Sequence, residues 1–199
     1  MVIIALLLVF EVFPVFTNAF TEQPYYTDDF GDSTLGSWED IKYVWIDNNE
    51  SFIMFKVELA APFNETVSVG TFLRIYISVD NSTGYLYDDF MADYYIRYIR
   101  ASSDWESWFW DVSNVSNRLQ LTPAETGLYY VIRSHNDKVI ELGYKMQTYY
   151  NDGGADKGYL NISLGQRIFF KVEMGLTSDW APDIGEGNLS YTEGLVKLI

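Results

Sequence analysis

Apolar and polar residues alternate along most of this chain with a period of two. Over 51–59, Ile53, Phe55, Val57 and Leu59 share one face, with Lys56 and Glu58 on the other. Residues 72–79 set Leu73, Ile75, Ile77 and Val79 against Arg74 and Ser78. The run 167–174 is cleanest: Ile168, Phe170, Val172 and Met174 oppose Arg167, Phe169, Lys171 and Glu173. Similar runs cover 41–47, 92–100, 105–112, 128–133 and 138–146, with a weaker one in 189–198. Successive side chains of a strand point to opposite faces, so each run predicts a strand with one buried face. Beyond Ala19 no helical period appears.

Asp47-Asn48-Asn49-Glu50 and Asn136-Asp137 predict tight turns, because Asn and Asp tolerate positive φ and bond their own backbone. Two longer connections, 114–126 and 147–161, read as loops, the second containing Asn151-Asp152-Gly153-Gly154. Eight or nine such strands imply an all-β fold of two antiparallel sheets packed face to face, a jelly-roll or immunoglobulin-like β-sandwich. No repeat or linker divides 25–199, which reads as one domain.

Residues 2–16, VIIALLLVFEVFPVF, are the most apolar stretch. A bilayer span needs about 20 apolar residues, and Glu11 and Pro14 interrupt this run. Thr17-Asn18-Ala19 then suits signal-peptidase cleavage, although no Lys or Arg precedes the run as in most secretory leaders. Residues 1–19 are thus expected to be an export leader. Two other uses stay open: a retained membrane or pilin-like helix, and a retained strand donated to a neighbouring subunit. Six Asn-x-Ser/Thr sequons, at Asn49, Asn64, Asn81, Asn114, Asn161 and Asn188, fit an exported, glycosylated chain.

Composition narrows the chemistry. There is no Cys and one His, so thiol catalysis, disulfides, thiolate metal sites and multi-histidine metal centres are excluded. An exported chain without Cys points to a prokaryotic, archaeal-type surface rather than an animal extracellular module. With 13 Lys+Arg against 28 Asp+Glu, the net charge of −15 repels phosphate backbones and argues against nucleic acid. Aromatic residues make up 18% of the chain, enough to build a wide core without disulfides.

Several short motifs occur in order: Asp28-Asp29-Phe30-Gly31-Asp32, Trp38-Glu39-Asp40-Ile41, Ile75–Asp80 followed by Ser82-Thr83-Gly84, Ala92-Asp93-Tyr94, and Asp179-Trp180-Ala181-Pro182-Asp183. Together they resemble the extracellular β-sandwich modules related to family-nine carbohydrate-binding modules and DOMON-like domains, over nearly the whole mature chain. The resemblance implies structural calcium in Asp-rich stretches and exposed aromatics that stack on sugars. It departs at one turn, where Ser78 and Asp80 stand in place of the paired Asp such modules commonly show.

Calcium takes several oxygen ligands at about 2.3–2.6 Å, which clustered carboxylates supply. The candidates are Asp28, Asp29 and Asp32; Asp80, Asp88, Asp89 and Asp93; and Asp179 and Asp183. A solvated acidic surface with Asp capping turns accounts for the same residues. Sugar binding needs exposed aromatic faces, and Trp105, Trp108 and Trp110 are the densest group, with Trp180, Tyr85 and Tyr87 as further candidates. On a strand Trp108 and Trp110 share a face and Trp105 takes the other, so one set is expected in the core. Glycoside hydrolysis needs two facing carboxyls. Glu58, Glu106, Glu141 and Glu173 lie on predicted strands, yet Glu58, Glu141 and Glu173 oppose apolar faces and read as solvent-facing. His135 sits in a turn with no nucleophile motif beside it.

These features lead to the expectation of a non-catalytic extracellular or cell-surface glycoprotein module, binding a glycan or serving adhesion, with structural calcium. The alternative is a homopolymeric filament or surface-layer subunit, whose partner is a neighbouring copy bound by strand donation. A membrane contact is expected only if the leader is retained. A jelly-roll glycosidase is the distant third.

Overall fold

The alternating runs become strands because each buries its apolar stripe against a second sheet. A computed structural model describes residues 26–29, 31–33, 36–62, 72–80, 84–87, 90–101, 104–114, 119–121, 128–134, 136–151, 157–175, 179–181 and 194–197. The described residues form sixteen strands and no helix. They are β1 (Tyr26–Thr27), β2 (Ile41–Asn48), β3 (Phe52–Leu59), β4 (Phe72–Ser78), β5 (Tyr85–Tyr87), β6 (Phe90–Ala92), β7 (Tyr94–Ala101) and β8 (Asp104–Asp111). The rest are β9 (Leu119–Leu121), β10 (Tyr129–Ser134), β11 (Val139–Lys145), β12 (Thr148–Asn151), β13 (Lys157–Leu160), β14 (Arg167–Met174), β15 (Asp179–Ala181) and β16 (Gly194–Lys197).

A five-stranded sheet runs β1-β2-β3-β11-β10, and a seven-stranded sheet runs β15-β14-β4-β7-β8-β9 with β16 also pairing β14. Every strand pair is antiparallel. One continuous core joins Val44, Ile53, Phe55, Val57, Ile140 and Leu142 of the first sheet to Ile75, Ile77, Ile96, Phe109, Phe170 and Val172 of the second. The fold is therefore all-β and antiparallel, two sheets packed as a sandwich.

Sixteen strands exceed the eight or nine expected. The additions are short. The expected loop 147–161 contains the hairpin β12–β13, the loop 114–126 contains β9, and Trp180 lies on β15. Runs of two to four residues are too short to display a period. Asn136 and Asp137 adopt φ of 55° and 63° in the β10–β11 turn, as their residue types predict.

One face departs from the simple pattern. The outer side of the seven-stranded sheet carries a second apolar cluster: Tyr76, Phe90, Ala92, Tyr95 and Val112, with Trp110 and Phe169 against it. The β5–β6 hairpin brings Phe90 over Tyr76, ring centroids 6.5 Å apart. Gly84 permits this approach, since a Cβ there would lie 2.1 Å from the Ala92 carbonyl oxygen. Under this cover Glu173 is fully buried, which corrects the expectation that it faces solvent. Its Oε2 accepts hydrogen bonds from Arg74 Nη1 at 2.9 Å and the Tyr76 hydroxyl at 2.7 Å. Alternation along one strand cannot reveal that a third layer covers its polar face.

Candidate functional site

The sandwich has two unlike sides. At one, β10 ends the five-stranded sheet, and β8 pairs β9 only through Phe109–Asp111. Residues 104–108 of β8 and the strand β10 come together at this side of the sandwich. Between them lies a cleft of about 580 Å³, within the range of roughly 300–1,000 Å³ usual for ligand pockets. The seven-stranded sheet contributes Tyr98, Trp105, Glu106 and Ser107, and β10 contributes Tyr129, Tyr130, Val131 and Arg133.

Aromatic contacts set the cleft's walls. Trp105 stacks on Tyr98 with centroids 4.9 Å apart, and the Arg133 guanidinium lies over the same indole at 5.3 Å. Cation–π attraction and an ion pair from Arg133 Nε to Asp137 Oδ1 at 3.0 Å fix the Arg133 head. Tyr129 stacks on the buried Tyr144 at 5.7 Å. Beneath it the Ser107 hydroxyl and the Tyr144 phenol share a hydrogen bond, and burial pushes the Tyr144 phenol up, so it stays protonated. Glu106 Oε2 accepts from Trp108 Nε1 at 2.9 Å, and the Tyr130 hydroxyl donates to Glu141 Oε1 at 2.8 Å. The result is an aromatic slot of Tyr98, Trp105 and Tyr129 with the Arg133 cation beside it. Such a slot suits a ligand with apolar ring faces and a polar rim.

Of the predicted aromatic ligands, Trp105 lines the cleft. Trp108 and Trp110 share the sheet's other face, as their spacing predicts, and enter different packing. Trp108 faces Arg97 at 5.9 Å, and Trp110 stacks on Tyr95 at 5.2 Å. Trp180 sits on β15 and Tyr87 on β5, with side chains outside the described residues, as is all of His135. The sequence reading missed Tyr98, Tyr129 and Arg133 as site residues. They lie on two strands of opposite sheets, and no linear motif joins them.

The other side holds carboxylates. One oxygen each from Asp28, Asp32 and Asp179 lies within 4.8 Å of the other two. Two oxygens at calcium-ligand distance from one ion lie at most about 5 Å apart, so the spacing fits such an ion. Asp28 and Asp179 are buried. The Ile41 amide donates to Asp179 Oδ2, tying β15 to β2 across the two sheets. Asp40 borders the group and was not predicted: its Oδ2 accepts from the Gly31 amide at 2.9 Å. Its buried Oδ1 has no hydrogen-bond partner among the described residues. Burial, with Asp32 adding repulsion, holds the Asp40 carboxyl above the usual range.

The remaining acidic candidates scatter. Asp29 is exposed. Asp93 caps the end of β4, accepting from the Val79 amide at 2.7 Å and the Ser78 hydroxyl at 3.2 Å. Asp80 is exposed beside it. Asp88, Asp89 and Asp183 lie outside the described residues. As for paired carboxyls, Glu106 on β8 and Glu173 on β14 are separated by β4 and β7. Three strand spacings make about 14 Å, beyond the roughly 9.5 Å limit for inverting hydrolysis. Among the sequons, Asn114 and Asn161 are exposed and Asn49 is half-buried, while Asn64, Asn81 and Asn188 lie outside the described residues. Comparison with protein-family models and with curated proteins returns no match for this chain.

Proposed function

We propose that this protein is an exported, non-catalytic cell-surface glycoprotein module that binds a saccharide in the β8–β10 cleft, with calcium held between Asp28, Asp32 and Asp179. The aromatic slot of Tyr98, Trp105 and Tyr129 with Arg133 beside it carries the reading. Sugar rings offer C–H faces to aromatic walls and hydroxyls to charged and hydroxylic rims. The motif resemblance to family-nine carbohydrate-binding and DOMON-like modules points the same way. Bound calcium would neutralise the carboxylates and tie the first strand and β15 to β2. Screening an immobilised glycan panel, followed by titration of the best saccharide, tests the reading. Trp105→Ala should weaken binding at least tenfold, about 1.4 kcal/mol, with unchanged circular dichroism. Unchanged affinity would overturn the cleft as the sugar site.

One observation favours a second reading. Among the described residues β10 is the last strand of the five-stranded sheet, and it exposes Ile132. An exposed apolar side chain on the last strand of a sheet can receive a donated strand, and residues 2–16 are apolar enough to supply one to a neighbour. Mass spectrometry of the mature N-terminus and electron microscopy test it. Filaments that keep residues 2–16 and disappear in Ile132→Lys would support strand donation. A mature chain starting at Phe20 without filaments would remove it.

A further inference from the structure

The β12–β13 hairpin presents an exposed face that neither the cleft nor the acidic cluster uses. Tyr149 and Tyr159 are cross-strand partners, their rings 4.5 Å apart at 44°. Tyr149 is 58% exposed, a large share of an aromatic ring left in water. Gln147 and Asn161 extend the same face by one strand period, and both are exposed. Asn161-Ile162-Ser163 is a sequon whose middle residue, Ile162, is fully buried in the main core. The loop is thus anchored while its acceptor Asn points outward.

Gln147 braces this arrangement. Its Nε2 donates to Asn161 Oδ1 at 3.2 Å, the Ile162 carbonyl at 2.9 Å and Ser163 Oγ at 2.9 Å. Its Oε1 accepts from the Tyr159 hydroxyl at 3.0 Å. Gln147 holds a φ of 51°, a left-handed backbone conformation that strains a non-glycine residue. Those bonds keep it there. The Asn161 amide is engaged through Oδ1, so Nδ2 is left to carry a substituent without breaking the brace.

We infer that Asn161 carries an N-linked glycan whose first sugar seats on the Tyr149–Tyr159 face, making the glycan part of the hairpin's packing. The inference rests on the export reading above. The linkage forms between Asn161 Nδ2 and the anomeric carbon of a lipid-phosphate-linked saccharide donor. The lipid phosphate leaves with the bonding electron pair, and the amide gives up one proton. Tyr159 lies two residues before the acceptor, the spacing that puts ring and sugar on one side of a strand.

Glycopeptide mapping and proton NMR of the protein secreted by a glycosylating host test the inference. Asn161 should be occupied, and ring protons of its first sugar should move upfield under the tyrosine ring current. Tyr149→Ser should remove most of that shift while Asn161 stays occupied, and Tyr149→Phe should preserve it. An occupied Asn161 with sugar protons at ordinary shifts would overturn the inference. An occupied Asn114 beside a bare Asn161 would overturn it while leaving the export reading intact. Bare sites at both positions would overturn both. A free disaccharide that shifts Tyr149 signals on a bare Asn161 would make the face a lectin site and overturn the linkage.

Discussion

Glu173 shows how one residue's role depends on what covers it. Its carboxylate is fully buried and accepts from Arg74 and Tyr76, whereas Glu58 on β3 pairs with Lys42 at 3.9 Å in partial contact with water. Removing one partner of a buried pair strands the other charge, a loss of about 3–5 kcal/mol. A surface pair contributes roughly 0–1 kcal/mol. Glu173→Ala should therefore lower the thermal midpoint by about 10 °C, at 2–4 °C per kcal/mol for a chain this size. Glu58→Ala should barely move it. Equal midpoints in calorimetry would place Glu173 in solvent after all. Trp105 is the matching case in the site: its spacing from Trp108 and Trp110 separated the two faces, but which face held the cleft depended on β10.

At the scale of elements, the strands that the alternation predicts are those with one face in the main core. The run 167–174 coincides with β14, and 51–59 with β3 to within a residue. The short pieces escape because their placement rests on contacts elsewhere. Two glycines mark such contacts. Gly84 has φ +97° and would set a Cβ 2.1 Å from the Ala92 carbonyl oxygen. Gly143 would set one 1.9 Å from Tyr130 Cε1, a side-chain atom. Backbone cannot yield where a side chain can, so Gly84→Ala should destabilise more than Gly143→Ala, the latter by about 1–3 kcal/mol. Urea denaturation of both variants checks the order. Gly143→Ala should also push the Tyr130 ring and break its hydrogen bond to Glu141 without loss of fold.

Across the whole molecule, the sandwich is closed by carboxylates at one side and open as a cleft at the other. Asp40 and Asp93 have carboxyls raised above their ordinary value, chiefly by burial. A carboxyl raised in the fold favours folding while protonated, and that contribution is lost as pH climbs from about 4 through the raised folded value. With chelator present, stability should rise as pH falls from 7 towards 5. Calcium at pH 7 should raise the thermal midpoint, and the increment should shrink at pH 5, where protons compete for the same oxygens. Scanning calorimetry with calcium or chelator at both pH values reads this, and identical midpoints at pH 7 would remove the cation from the acidic site. The sequence by itself determined the all-β class, the inner faces of the long strands, the tight turn at Asn136-Asp137 and the acidic residues available for a cation. These follow from period and residue type, which are local properties. Tertiary structure alone decided that Asp28, Asp32 and Asp179 meet, that Asp40 joins them, that Glu173 is buried, and that Trp105 faces Arg133 across two sheets. Those juxtapositions link residues up to about 150 positions apart, and strand pairing and sheet packing bring them together.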